Sequence, residues 1–550
     1  MDELSVFLGG RAGEGVKRGA LVIGKLFNRY GYHVFIMDDY VSTIRGGQDY
    51  SEIRISKKEV FSQRGISDIF FSFHEDIFER YSSKTKRDTV AVLDGKGGTN
   101  VPFDEIIKEK NASPVMKPSV VLGVLSYVCE IPFEFVVKTL ESEFKEKADK
   151  NIELAKAGFE YAKENNFPKL RMERWTKPQF PVISGNELTA LGAVRAGMKV
   201  YTAYPITPAS TLLHFLAKES KRLHIAAIHT EDEISAAVMA IGAAYAGAPA
   251  MCGTSGPGID LMGEAISLAG GTEIPLVIVD AQRAGPTTGV PTYTEQGDLN
   301  LVLNVGHGEF PRIVLAPGTI DESFDVAARA MQYAWWYQTP VFVLTDKHIA
   351  ESTKTVNIQF GKKYPLPVKY FEGSGVYKRY QVTEDGISPI AFPSMKGIVN
   401  HTNSTEHTEE GYSSSLPENV VKMKEKRLKK AETIRNDFLA EHTINVFGNV
   451  DAKNTVITFG SPTGTLLEAI EGLPVKLLQV IALEPFPVEK VKNIFDHSEK
   501  IISVEQNSTG QFAELVKCKT GRAPDEKILR YDGRPFDPFE LKERLKEALL

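Results

Sequence analysis

Cysteine is nearly missing from this chain: three residues in 550, Cys129, Cys252 and Cys518, far apart and with no CxxC spacing. That count excludes a disulfide framework and a four-cysteine iron–sulfur cluster held by this chain alone. A surplus of basic charge is missing too. Lys and Arg number 65 against 71 Asp and Glu, a formal charge of −6, so no excess of cations is available for a phosphate backbone and nucleic acid is not an expected partner. Long apolar runs are scarce. The best, Ser119 to Val137, is interrupted by Glu130 and Glu134 and reads as buried helix rather than a membrane span. Met1-Asp2-Glu3-Leu4 places acids where a secretory signal carries a basic flank. Together these point to a cytoplasmic protein with no membrane partner. The 11 histidines form no HExxH or similar pair, so no metal is expected on this chain alone.

What is present is ordinary globular material: 42% hydrophobic and 25% charged residues. That suffices for several cores at roughly 100–200 residues per domain. A short apolar run at Leu4 to Leu8, the turn Gly9 to Gly15 and a helical stretch to about Tyr30 open a βαβ pattern. His33 to Met37, Ile69 to Phe73 and Val90 to Asp94 continue it. This first α/β domain spans 1–175. A second, 176–360, alternates helices with strands at 199–203, 249–254, 275–280, 311–315 and 340–345, the pattern of a doubly wound, mostly parallel sheet. Residues 361–444 read as a long connection carrying local structure. Residues 445–550 read as a third α/β domain with strands near 455–459, 477–481 and 500–504 and a terminal helix from about Pro538. Lys422, Lys424, Lys426, Arg427, Lys429 and Lys430 read as a solvated helix face.

Three segments of the second domain stand out chemically. In Tyr204-Pro205-Ile206-Thr207-Pro208, Thr207 is placed as a helix N-cap with Pro208 at the first helical position. The plain reading is a well-made helix start. The sharper one is a carboxylate site formed by a hydroxyl and free N–H groups at the carboxyl end of a parallel strand. His229-Thr230-Glu231-Asp232-Glu233 opens a helix rich in small residues, where acids ordinarily complement the dipole. That helix leads to Thr254-Ser255-Gly256-Pro257-Gly258, a strand-to-helix turn whose glycines let backbone approach a ligand.

An acid opening a helix, followed by a strand ending in Thr-Ser-Gly-Pro-Gly, resembles the pyrimidine-binding domain of thiamine diphosphate enzymes. There a carboxylate on the aminopyrimidine ring shifts its tautomer so that the imino group removes the thiazolium C2 proton. Glu233 matches that acid by position, with Glu231 the less suitable substitute. Thr254, Ser255, Gly256, Pro257 and Gly258 match the cofactor-binding turn. The diphosphate half of such a site needs Gly-Asp-Gly with a downstream Asn, and none of Leu93-Asp94-Gly95, Glu384-Asp385-Gly386 or Tyr531-Asp532-Gly533 supplies it. The Mg²⁺ site is therefore expected on another chain.

With Gly285-Pro286-Thr287-Thr288-Gly289-Val290-Pro291-Thr292, Arg379 to Pro389 and Val504 to Gln511 added, the chain resembles the α subunit of 2-oxoacid:ferredoxin oxidoreductases. Residues 1 to 175 resemble the family's γ subunit fused in front, and 445–550 a transketolase C-terminal-like domain. The resemblance implies oxidative decarboxylation of a 2-oxoacid such as pyruvate or 2-oxoglutarate to acyl-coenzyme A, with electrons passed to ferredoxin. A separate β subunit would hold Mg²⁺ and an iron–sulfur cluster and share the thiamine diphosphate. Thr207 and Glu233 would be catalytic. Tyr204 to Pro208, Arg283 and Tyr293 would face the substrate, although Arg283 as an exposed loop residue is the plainer expectation. Many relatives have Arg or Lys where this chain has Tyr293, which leaves the choice of 2-oxoacid open. The alternatives are a non-oxidative thiamine diphosphate-dependent decarboxylase or synthase subunit and a non-catalytic scaffold subunit. Gly9 to Gly15 lacks the third glycine of a dinucleotide loop, since Arg18 stands there. Arg45-Gly46-Gly47-Gln48 reads as an interface turn.

Overall fold

Glu3–Arg11 and His33–Tyr40 are strands joined by the helix Val16–Arg29, whose Val16, Ala20, Ile23, Leu26 and Phe27 face the core. The computed structural model describes residues 1–40, 47–175, 180–373, 375–393 and 395–550. Between the two strands runs Gln48–Ser56, antiparallel to both. Its sequence carries too many polar residues to read as a buried strand. It is nevertheless buried, because Glu52 pairs with Lys84 and Arg54 reaches Glu3 at 3.0 Å. Ser67–Ser72 and Thr85–Leu93 extend the sheet on one side in parallel. Thr353–Thr355 and Val182–Ser184 extend it on the other. The chain segments Met1–Ser184, Glu351–Ile358 and Asp537–Leu541 thus form one unit. This compact unit reaches Ser184 because short edge strands join it through backbone hydrogen bonds that no hydrophobic pattern reports.

The apolar run after Ser119 is two helices, Lys117–Val128 and Phe133–Phe144, with Glu130 between them at φ 54°. No helix among the described residues is long and apolar enough to cross a membrane. The Gly9 to Gly15 turn is occupied by its own Glu14. That carboxylate accepts the Arg11 N–H (2.7 Å) and Lys117 Nζ (2.7 Å), and it lies 2.8 Å from His74 Nε2. These cations and donors hold the carboxyl below its ordinary range against the effect of burial. An anion already sits where a dinucleotide phosphate would bind. Of the proposed interface turn, Arg45 and Gly46 lie outside the described residues; Gln48 donates to Asp76 at 2.8 Å.

The second unit comprises Gly185–Ala350, Gln359–Phe536 and Lys542–Leu550. Its larger sheet runs, in spatial order, Ala482–Glu484, Ile313–Leu315, Pro340–Asp346, Leu276–Gln282, Ala250–Thr254, Val200–Ala203 and Ala226–His229. All are parallel except the first, which is antiparallel to its neighbour. The strands Ala250–Thr254 and Leu276–Gln282 are buried along their whole length, as expected of a parallel sheet covered on both faces. A smaller sheet, Ile444–Gly448, Val475–Val480, Asn454–Thr458, Lys500–Glu505 and Glu526–Leu529, is parallel apart from its first strand.

The connection between these sheets ends in the helix Pro417–Ala440, and its basic run is not a solvated face. Lys426 and Lys430 are fully buried on one side of the helix, four residues apart and therefore stacked. Both bind Glu273, Lys426 at 2.7 and 2.8 Å. Arg427 binds Glu406 at 2.6 and 3.0 Å, while Lys424 and Lys429 face water. Composition cannot show that a lone Glu273, far away in sequence, collects two of these cations.

The site at the carboxyl ends of the parallel strands

Val200–Ala203, Ala226–His229, Ala250–Thr254 and Leu276–Gln282 are neighbours in the sheet. Each leads at its carboxyl end into one of the segments singled out above, where ligands of open α/β sheets bind. Ala226–His229 leads to Asp232, whose side chain accepts the Ser235 N–H at 2.7 Å and caps the helix Glu233–Tyr245. The cap fixes the division of labour among the three acids. Glu231 is exposed, Asp232 is committed to the backbone, and Glu233, the first helical residue, is 6% exposed. No hydrogen bond among the described residues engages the Glu233 carboxylate.

The strand Ala250–Thr254 passes into the helix Gly256–Leu261 through Ser255. A Cβ on Gly258 would stand 1.9 Å from Thr254 Oγ1 and 3.1 Å from Glu233 Oε1. A Cβ on Gly256 would stand 2.7 Å from both oxygens of Asp298. Thr254 and Glu233 at Gly258, and Asp298 at Gly256, thus crowd the space a Cβ would take at either position. Thr254 and Ser255 are fully buried, and Ser255 Oγ has no partner among the described residues.

Thr207 is not the cap of the next helix. Tyr204, Pro205 and Ile206 continue from the strand, Thr207 to Ala209 form a turn, the Thr207–Pro208 peptide is cis, and the helix Ser210–Leu223 has Ala209 at its N-cap position. The carbonyl of Thr207 accepts Arg283 Nη1 at 2.9 Å. Arg283 is no exposed loop residue: it is 7% exposed, with Nε unpaired among the described residues. Burial lowers its pKa, opposed by the carboxylates of Asp298 and Glu233. Thr207, Arg283 and Glu233 therefore belong to one electrostatic neighbourhood. Tyr204 is 40% exposed and meets His229 edge to face at 6.2 Å.

Tyr293 follows the hairpin-like turn closed by Ala284 and Val290, and its carbonyl accepts the Ala284 N–H at 3.1 Å. The guanidinium of Arg534 lies 3.7 Å from its ring centroid. The Val504 to Gln511 motif holds the segment that follows Tyr293. Gln296 and Gln506 exchange hydrogen bonds of 2.6 and 2.8 Å, and Gln511 Nε2 donates to the Gly297 carbonyl at 2.8 Å. Buried Glu505 accepts the N–H groups of Phe512 (2.7 Å) and Ala513 (3.0 Å) at the next helix start. Sequence reasoning missed Asp280, Asp298 and Arg534. Only Asp280 left a signal, as an acid closing an otherwise apolar strand.

The family match puts this sheet in a thiamine diphosphate-binding class of fold. Residues 191–426 match the family described as pyruvate flavodoxin/ferredoxin oxidoreductase, thiamine diP-bdg. Residues 5–161 match pyruvate ferredoxin/flavodoxin oxidoreductase, and 452–541 match pyruvate:ferredoxin oxidoreductase core domain II. The 2-oxoacid:ferredoxin oxidoreductase subunit alpha of a Sulfolobus species is 32% identical over 100% of this chain and 96% of its own length. The 2-oxoglutarate synthase subunit KorA of Methanocaldococcus jannaschii is 32% identical over 66% of this chain and 97% of its own. The solved 2-oxoglutarate:ferredoxin oxidoreductase from Magnetococcus marinus, with 2-oxoglutarate, coenzyme A and succinyl-CoA bound, superposes with a TM-score of 0.91 at 30% identity, covering 100% of both chains. The chain belongs to the 2-oxoacid:ferredoxin oxidoreductase family, among its alpha subunits.

Proposed function

We propose that this chain activates thiamine diphosphate for a 2-oxoacid:ferredoxin oxidoreductase that converts a 2-oxoacid and coenzyme A to acyl-coenzyme A and CO₂, passing two electrons to ferredoxin. The observation that carries the reading is Glu233: a buried carboxylate beside a glycine turn that no hydrogen bond among the described residues engages. A buried carboxylate left unpaired is costly, and a heterocyclic nitrogen that shares its proton removes that cost. When bound, thiamine diphosphate supplies a nucleophilic thiazolium carbon and an electron sink. Glu233 would hold the proton at the pyrimidine nitrogen, and Thr254 to Gly258 would let the ring approach backbone. Tyr204 to Pro208, with Thr207 at their centre, receive the substrate carboxylate together with Arg283 and Tyr293.

A β subunit completes the site. It carries the Mg²⁺–diphosphate half and the iron–sulfur cluster, for which three scattered cysteines provide no ligand set. Ile234, Val238 and Met239 are 47%, 46% and 42% exposed on the helix that Glu233 opens. This apolar face suits burial by that partner.

The test is Glu233→Gln in the complex assembled with β subunit, coenzyme A and a low-potential dye. The kcat for 2-oxoacid oxidation should fall at least ~10²-fold, with assembly and thermal stability unchanged. An unaltered kcat would mean a scaffold role, and CoA-independent release of aldehyde at full rate would mean a non-oxidative enzyme.

A further inference from the structure

The second unit has a cleft at the amino ends of its larger sheet, away from Glu233, with a volume of about 710 Å³. Arg312 lines it just ahead of the strand Ile313–Leu315. Glu484 lines it at the end of the antiparallel neighbour Ala482–Glu484, which pairs with that strand at Val314. One wall is the helix Pro417–Ala440. Its Lys424, Leu428, Ala431 and Arg435 recur at steps of four, three and four residues and share one face. That face is opposite the one that gives Lys426 and Lys430 to Glu273. The other wall includes Leu515 and Cys518 of the helix Gln511–Thr520. Leu428 stands 63% exposed there. Small-molecule sites are commonly clefts of roughly 300–1,000 Å³ with apolar walls and a few fixed polar groups.

The charges lining this cleft do not balance. Among its acids, Glu484 is bound by Lys519 at 2.8 Å and Glu514 by Lys527 at 2.8 Å, which leaves Glu309. Among its cations, Arg427 is held by Glu406, whereas Lys424 and Arg435 make no ion pair or hydrogen bond with the described residues. Arg312 is anchored without being neutralised. Its Nη1 donates to the carbonyls of Val302 (3.1 Å) and Val305 (2.7 Å), and its guanidinium lies 4.6 Å from the Phe310 ring centroid. Nε and Nη2 make no hydrogen bond among the described residues. They form the edge of a guanidinium that a carboxylate or phosphate engages with two parallel bonds. Burial lowers Arg312 to about 10 against the pull of Glu484. The group therefore stays charged at neutral pH, and an anion within reach offsets part of the cost of burying it.

We propose that this cleft binds a small amphipathic anion, a carboxylate or phosphate carried on an apolar body. The Nε–Nη2 edge of Arg312 takes the oxyanion, Lys424 and Arg435 add positive charge, and Leu428, Ala431 and Leu515 lie against the body. Arg312 is already fixed by two carbonyls and a ring, so binding has little new side-chain order to impose. Neither wall contains a residue of the cofactor site, and the proposal stands whether or not the cofactor reading holds.

Cys518, in the wall, reports occupancy, because it is exposed while Cys129 and Cys252 are buried. Its alkylation by iodoacetamide is followed by mass spectrometry in the full chain, alone and assembled with the β subunit, at ligand concentrations below micelle formation. Decanoate and decyl phosphate should slow it about tenfold once either exceeds its Kd about tenfold. Protection by one of the two alone identifies the headgroup. Decyltrimethylammonium, with the same body and the opposite charge, and inorganic phosphate, without the body, should give no protection at those concentrations. Arg312→Lys keeps the charge but loses the two-bond edge and should weaken protection at least about tenfold. Leu428→Glu places an acid at an exposed point of the wall, leaving the fold intact even if Arg312→Lys does not, and should abolish protection. Equal protection by decyltrimethylammonium would mean a merely apolar surface and overturn the proposal. So would no protection at all, or protection that neither variant diminishes. Protection present in the free chain and absent from the complex would make the cleft a subunit face and overturn it as well.

Discussion

Gly258 and Glu233 meet so closely that a Cβ on the glycine would stand 2.7 Å from the acid's Cγ and 3.1 Å from its Oε1. Thr254 Oγ1, at 1.9 Å from the same point, closes the other direction. Gly258→Ala must therefore displace Glu233, Thr254 or the turn. Overpacking of this kind costs about 1–3 kcal/mol. The variant should show a lower melting temperature and a raised KM for thiamine diphosphate in the assembled complex. Unchanged values in both would place the acid elsewhere.

Arg534 supplies a cation against the face of Tyr293. A cation over an aromatic face contributes about 0.5–2 kcal/mol, and the contact needs the ring rather than the hydroxyl. Tyr293→Phe should thus leave the KM for the oxidised 2-oxoacid within about twofold, while Tyr293→Leu should raise it by several-fold, up to about tenfold. Steady-state titration of that 2-oxoacid on both variants checks this. A large effect of Phe alone would assign the contribution to the phenol.

Glu273 is surrounded by Lys426, Lys430 and the Arg379 guanidinium, and they hold it well below the carboxylate range although burial alone would raise it. Its loss in Glu273→Gln leaves buried cations uncompensated and should cost about 3–5 kcal/mol in denaturant unfolding. The linkage of Lys430 to pH has the opposite sense from that of an ordinary ion-paired lysine. Burial lowers it to about 7 from 10.5, with Lys426 opposing the pull of Glu273. Between those values the unfolded chain binds more protons than the folded one, so this residue makes stability rise as pH increases from about 7 to 10.5. Lys430→Met should flatten that rise in the difference between the two unfolding curves.

Much of the fold was legible because parallel strands buried on both faces are nearly continuous apolar runs, as at Leu276–Gln282 and Pro340–Asp346. Gln48–Ser56 was not, since its burial depends on partners such as Lys84 and Glu3 that lie elsewhere in the sequence. Ala226–His229, an edge strand with exposed residues, was also missed. At the site, the acidic start of the helix and the glycine turn were readable from local chemistry, but not that Asp232 is the acid that caps it. Arg283 appeared exposed because no local pattern shows that the Thr207 carbonyl and two carboxylates surround it. The Lys426 and Lys430 pair failed for the same reason: the neutralising acid is a long-range contact. Asp298 lies in a polar loop and becomes notable only through its approach to Gly256 from elsewhere in the sequence.

The central claim, that Glu233 controls the proton on the cofactor's pyrimidine, is tested most directly by the rate at which the thiazolium C2 proton exchanges with deuterium in the assembled complex. NMR of acid-quenched samples measures that rate without any turnover. Glu233→Gln should slow the exchange by at least ~10²-fold relative to wild type while the cofactor stays bound. Exchange at the wild-type rate with the cofactor bound would contradict the account.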